Sequence, residues 1–223
     1  MTGDASSEKS LTSIFSQGLL AFLFAQTFKA ALDHGLAMLT EHQDWAGLWD
    51  HLPKNPSQHF SDLVQMTAFI ATLSRFYAGA HRFNSDDGRD TRLGSTFRDV
   101  AWMMVLSGAF YFAALLVASN GLFLMVITLI HVIDLLWFVS SGGSKGHAPH
   151  VKVVIEHYQR FDMITILLAA LAGMAFQVIK FDPSYFQWIS SAILFVMFIA
   201  DIREFWDWYF DPAKWRTAHA GRA

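Results

Sequence analysis

The chain has 223 residues, of which 53% are hydrophobic, a net charge of −3 and no cysteine; its mean hydropathy is +0.32. That apolar share exceeds what a soluble domain usually carries and points to a membrane protein whose first partner is the lipid bilayer. Without cysteine there is no disulfide framework, thiolate metal site or cysteine nucleophile, and without a basic stripe interleaved with aromatics there is no case for a nucleic-acid partner.

The first residues, MTGDASSEKS, are followed by an uncharged run from Leu11 to Phe28. This lacks the basic start and cleavage site of a signal peptide and is expected to be a retained first span, over about residues 11–31. Past Gly35, Trp45, Leu48, Trp49 and Leu52 fall at i, i+3, i+4 and i+7. That spacing predicts a short amphipathic helix at about 43–52, lying in the membrane interface.

The second span, about 61–83, is the least apolar. Asp62, Gln65, Thr72, Arg75, Gly79 and Arg82 recur every three or four residues, which draws one polar stripe down the helix and requires that stripe to face protein. In the polar loop that follows, Asp86, Asp87 and Asp90 do not match the ligand spacing of a calcium loop. Thr96 and Asp99 resemble a capping box opening the third span, about 100–118. Within it Ser107-Gly108-Ala109 offers a small surface for close helix packing.

Ser119-Asn120-Gly121 reads as a tight turn into the fourth span, about 122–139, which carries His131 and Asp134 on one face. A glycine- and lysine-containing loop comes next, with His147 and His150, and Pro149 is expected to prevent a helix there. The fifth span, about 160–180, begins near His157 and Asp162, and Ala169 with Gly173 forms a small-xxx-small pair. A sixth span, about 184–208, follows Pro183 and places Asp201 and Glu204 on one face.

These readings define an all-α fold class: a six-transmembrane-helix bundle forming a single membrane domain over residues 1–223. Thirteen lysines and arginines fall on one side of such a bundle, and Lys29, Lys54 and Lys180 on the other. The positive-inside rule then puts both termini in the cytoplasm, in a bacterial-type inner membrane, with the interfacial helix on the far side.

Nearly all the membrane-depth ionisable residues fall in the cytoplasmic half. Arg75, His131, Asp134, Asp162, Asp201 and Glu204 are expected to form a polar pocket open to the cytoplasm and closed by apolar outer halves. A deep arginine needs a carboxylate, and Asp134 or Asp201 is the expected partner. His131-x-x-Asp134 and Asp201-x-x-Glu204 depart from the Glu-x-x-His order of di-metal bundles, so no metal is assigned. No motif names a cofactor or a catalytic residue.

The function expected from this pattern is an ion, proton or small-solute channel or transporter. A membrane-embedded accessory or signalling subunit, in a homo-oligomer or with another membrane protein, is the alternative, and Gly108, Ala169 and Gly173 are its packing residues. An enzyme using the histidine and carboxylates is the third reading.

Overall fold

A computed structural model describes residues 17–34, 56–86, 88–89, 92–116, 120–142, 146–179 and 183–220. The interfacial helix expected at about 43–52 and the first residues of the first span lie outside them. The described chain is all helical, with α1 over residues 17–34, α2 Pro56–Asn84, α3 Leu93–Leu115, α4 Asn120–Gly142, α5 Pro149–Ile179, α6 Pro183–Glu204, α7 Trp206–Phe210 and α8 Pro212–His219. No strand occurs among the described residues.

Proline sets many of the starts. Pro56, Pro149, Pro183 and Pro212 each occupy the first position of a helix, where the missing N–H costs nothing and the fixed φ suits the helix. Pro149 therefore begins α5 rather than preventing a helix, and α5 starts eleven residues before the expected span at about 160–180. The apolar run marks only the later part of that helix.

The third helix also starts earlier than its expected cap. Its N-cap position is Arg92, whose side chain does not cap the helix, so Thr96 and Asp99 lie inside the helix and the capping box at Thr96 is not formed. The expected sixth span is interrupted at Phe205, where α6 gives way to α7. Backbone bonds from Phe205 N to Asp201 O at 2.9 Å and from Tyr209 N to Phe205 O at 3.0 Å carry the chain across with only a kink.

The long helices run alternately up and down. Neighbours in sequence pack side by side from α3 through α4 and α5 to α6, while α6 lies against α2 and so brings the chain back on itself. α1 crosses the weak seam between α2 and α3, with Leu20, Phe24 and Thr27 facing Leu73, Tyr77 and Met103 around a cavity of about 40 Å³. α8 folds back onto α5.

One core runs through the bundle, built on Phe69, Phe83, Phe123, Ile127, Ile130, Trp137 and Trp208. The outside is also apolar. Met104, Val105 and Phe112 of α3, Met125, Leu129 and Leu136 of α4, Met163, Leu167 and Met174 of α5, and Val196 and Ile199 of α6 are all exposed. A soluble monomer rarely exposes so continuous an apolar surface. Two described helices are long and apolar enough to cross a membrane, Leu122–Gly142 and Pro149–Val178.

The loop joining α2 to α3 is pinned to the start of α5. Ala148 N donates to Gly88 O at 2.8 Å, and Asp86 Oδ1 lies 2.9 Å from His150 Nε2 and accepts from Gly88 N at 2.9 Å. A Cβ on Gly88 would stand 2.5 Å from His150 Cε1 and 2.8 Å from the Ala148 Cβ, so only glycine admits this approach. The same end of the bundle holds the α4–α5 connection, the α6–α7 kink and α8.

Candidate functional site

Arg75 lies nine residues before the end of α2, Asp134 eight before the end of α4, and Asp201 nine before the end of α7. At 1.5 Å per residue these side chains share a level roughly 12–14 Å in from one end. Along α2 the register that repeats Thr72, Arg75 and Gly79 turns this arginine toward α5 and α6. It is 3% exposed.

Arg75 Nε is 3.0 Å from Asp201 Oδ2, in an ion pair whose carboxylate is fully buried. The guanidinium lies over three aromatic rings, with its carbon 3.8 Å from the centroid of Phe161, 5.0 Å from Phe76 and 5.1 Å from Tyr158. Of the two expected carboxylate partners, Asp201 is the one it pairs with. Delocalised charge over ring faces suits an arginine better than a lysine at such a site.

Asp201 is shared. His157 Nε2 is 2.9 Å from its Oδ1, and the Tyr209 hydroxyl donates to its Oδ2 at 2.7 Å. Tyr209 in turn meets the Tyr158 hydroxyl at 2.5 Å. Burial, then the neighbouring Asp201 carboxylate, holds the Tyr209 phenol above its ordinary range, so it stays a donor. Gly79 makes room for this contact, since a Cβ there would come within 2.9 Å of the Tyr158 oxygen.

A second group lies deeper. His131 Nδ1 is 2.8 Å from Asp162 Oδ1, both essentially buried, and the His131 ring packs against Phe76 and Phe161. Asp134, one turn after His131 on the same helix face, is buried beside Asp162. Arg75 and Asp134 line a cavity of about 10 Å³ together with Gly79, Tyr158, Trp137 and Phe138. It has room for about one water.

All six expected site residues therefore belong to one constellation. Five are buried, whereas Glu204 has its side chain 68% exposed, 3.4 Å from His157 Nδ1. The expected cytoplasm-facing pocket is not what they form, because aromatic rings fill the space around the charges. The large opening lies beyond His157: a groove of about 1020 Å³ between α5, α6 and α8, lined by Lys152, Glu156, His157, Arg160, Glu204, Trp215 and His219 among others. The opposite half is not closed by apolar residues alone either. Ser61, Gln65, Ser190 and Ser191 are buried there, and Gln187 Nε2 donates to Asp62 Oδ1 at 2.9 Å.

The packing residues part company. Ala169 is buried with Leu124, against partly buried Phe176, but a Cβ on Gly108 or Gly173 would meet nothing within 4 Å. Neither glycine seats another described helix, and both look outward. His150 and His157 have separate partners, with His150 on Asp86 and His157 on Asp201. Among the described residues no three histidine, aspartate or glutamate side chains converge as metal ligands.

Residue-by-residue reading missed His157, Tyr158 and Tyr209 as members of the cluster. Tyr158 is one turn before Asp162 and shares its face, which is a usable signal. Tyr209 reaches Asp201 only because of the kink at Phe205, which no local pattern announces. Asp99 was missed as well: it is fully buried, accepts from Trp137 Nε1 at 3.0 Å and Ser141 Oγ at 3.3 Å, and faces Arg89 and Arg98.

No protein-family model matches the chain, and no curated protein or solved structure matches it. What the site can do thus rests on its own chemistry. It is a cluster of carboxylates, imidazoles and phenols around one guanidinium, packed about with aromatic rings and meeting the groove at His157 and Glu204.

Proposed function

We propose that this protein is a six-span integral membrane protein that moves protons, as a proton channel or the proton-handling core of a transporter, with both termini cytoplasmic. The observation that carries the reading is the buried Asp134–Asp162–His131 group set beside the Arg75–Asp201–His157 group. At membrane depth ionisable residues are costly, and a chain of histidines and carboxylates there is the material of a proton relay. The buried carboxylates outnumber the single arginine, which pairs with Asp201, so Asp134 and Asp162 are sites that favour holding a proton.

The membrane setting is supported by the two helices of sufficient length and hydropathy and by the apolar belt on α3, α4, α5 and α6. Arg82, Arg89, Arg98, Lys152 and Arg203 share the end that carries the α2–α3 and α4–α5 connections, and the positive-inside rule assigns that end to the cytoplasm. The test is proton flux in liposomes. Wild type should discharge an imposed pH gradient and Asp134→Asn should do so at least tenfold more slowly; equal leakage from both would refute the reading.

A second reading is an accessory subunit or homo-oligomer. Gly108 and Gly173 favour it, since each faces outward and a methyl group added there would meet nothing within 4 Å, leaving a surface on which a helix of another chain can pack.

A further inference from the structure

His157 stands between two carboxylates of opposite character. Its Nε2 is 2.9 Å from Asp201, fully buried, and its Nδ1 is 3.4 Å from Glu204, largely exposed on the groove. The ring itself is 9% exposed and is held flat against Phe205, with centroids 3.7 Å apart and an interplanar angle of 29°. An imidazole with each nitrogen on a different carboxylate can take a proton at one and release it at the other, as few other side chains can near neutral pH. The groove beyond is about 1020 Å³ and includes His157 and Glu204 in its lining, whereas Asp201 on the other side of the ring is fully buried.

Resting on the proton-transport reading above, we infer that His157 is the proton-transfer residue joining the buried network to the groove. In the inward direction Glu204 or groove water delivers a proton to Nδ1, the N–H bond at Nε2 breaks, and an O–H bond forms on Asp201. Charge moves by one proton, no electron is transferred, and the ring is left as the other tautomer. A flip of the ring or return of the proton resets it. Arg75 is held on the opposite oxygen of Asp201. Nothing in the sequence pattern assigns this role, because Asp201 and His157 are on different helices.

The experiment is chemical rescue in proteoliposomes loaded with a pH-sensitive dye. His157→Ala removes the ring beside a groove wide enough for free imidazole to enter. Discharge of the gradient should fall at least tenfold in His157→Ala and be restored severalfold by imidazole, but not by thiazole, which has a similar shape and is a much weaker base. Rates are read above protein-free vesicles holding the same additive. His157→Gln, which keeps a hydrogen bond to Asp201 and fills the space, should fold as wild type, conduct as poorly as His157→Ala and gain nothing from imidazole. Wild-type flux with undiminished flux in both variants overturns the His157 route alone. Loss without imidazole rescue, in a variant that elutes and melts as wild type does, also overturns it. Absence of flux in wild type overturns the transport reading on which it rests.

Discussion

Replacing Arg75 by methionine removes the one cation from the buried cluster while keeping an unbranched side chain of similar bulk. At the observed 3.0 Å and an effective dielectric of about 20, the pair attracts by about 5–6 kcal/mol before desolvation is counted. Desolvation offsets most of that, yet removing one partner leaves Asp201 buried and uncompensated, which typically costs about 3–5 kcal/mol. Here the lower half of that range is expected, because Asp201 keeps Tyr209 and His157 as hydrogen-bond partners. Asp201→Asn should cost a similar amount through the stranded guanidinium. The double variant Arg75→Met/Asp201→Asn should then lose less than the sum of the two by about 2 kcal/mol or more, the signature of direct coupling. Reversible denaturation in detergent followed by circular dichroism measures all three. A loss below about 1 kcal/mol for Arg75→Met, or single effects that add within about 0.5 kcal/mol, would refute the account of the pair.

Four further substitutions probe the scaffold. Gly88→Ala should destabilise by about 1–3 kcal/mol, since its methyl would stand 2.5 Å from His150, which Asp86 holds in place; an unchanged midpoint would mean the loop is not pinned there. Trp137→Phe keeps the ring in the core but takes a donor from buried Asp99, so a loss of about 1.5–3 kcal/mol is expected, and Ser141→Ala, whose bond is longer at 3.3 Å, should cost less. Gly173→Ala should be tolerated or stabilising by up to about 1 kcal/mol from helix propensity, because nothing lies within 4 Å. Destabilisation, or loss of a crosslinked dimer on a gel, would show that a neighbouring chain packs on that face.

The gathering of the six charged and histidine residues was legible because a buried charge is expensive wherever it occurs: once Arg75, His131, Asp134, Asp162 and Asp201 fall inside apolar runs, each must find protein. Depth followed from counting residues to the helix ends. What hydropathy does not report is the shape of the space between helices. The expected open pocket is packed by Phe76, Tyr158 and Phe161, residues that read as ordinary apolar positions, and the open groove lies instead beyond His157. Helix ends were misplaced for a related reason. An apolar run marks where a helix meets lipid or core, whereas α5 continues through polar Glu156, His157 and Arg160 back to Pro149 because backbone hydrogen bonding is indifferent to side-chain polarity. Asp99 illustrates a third limit: beside Thr96 it fits a cap, and only its partners Trp137 and Ser141, about forty residues on along the chain, give it a different role.

The central claim is that the buried carboxylate and histidine cluster carries protons across a bilayer. Its most direct measurement is potential-driven proton uptake by proteoliposomes, with a potassium gradient and an ionophore setting the voltage and an internal dye reading pH. The expected result is acidification well above that of protein-free vesicles, reduced at least tenfold in Asp134→Asn and in Asp162→Asn while both variants retain the wild-type helical signal and insertion. Acidification at the protein-free rate in wild type, or variant rates equal to the wild-type rate, would contradict the claim.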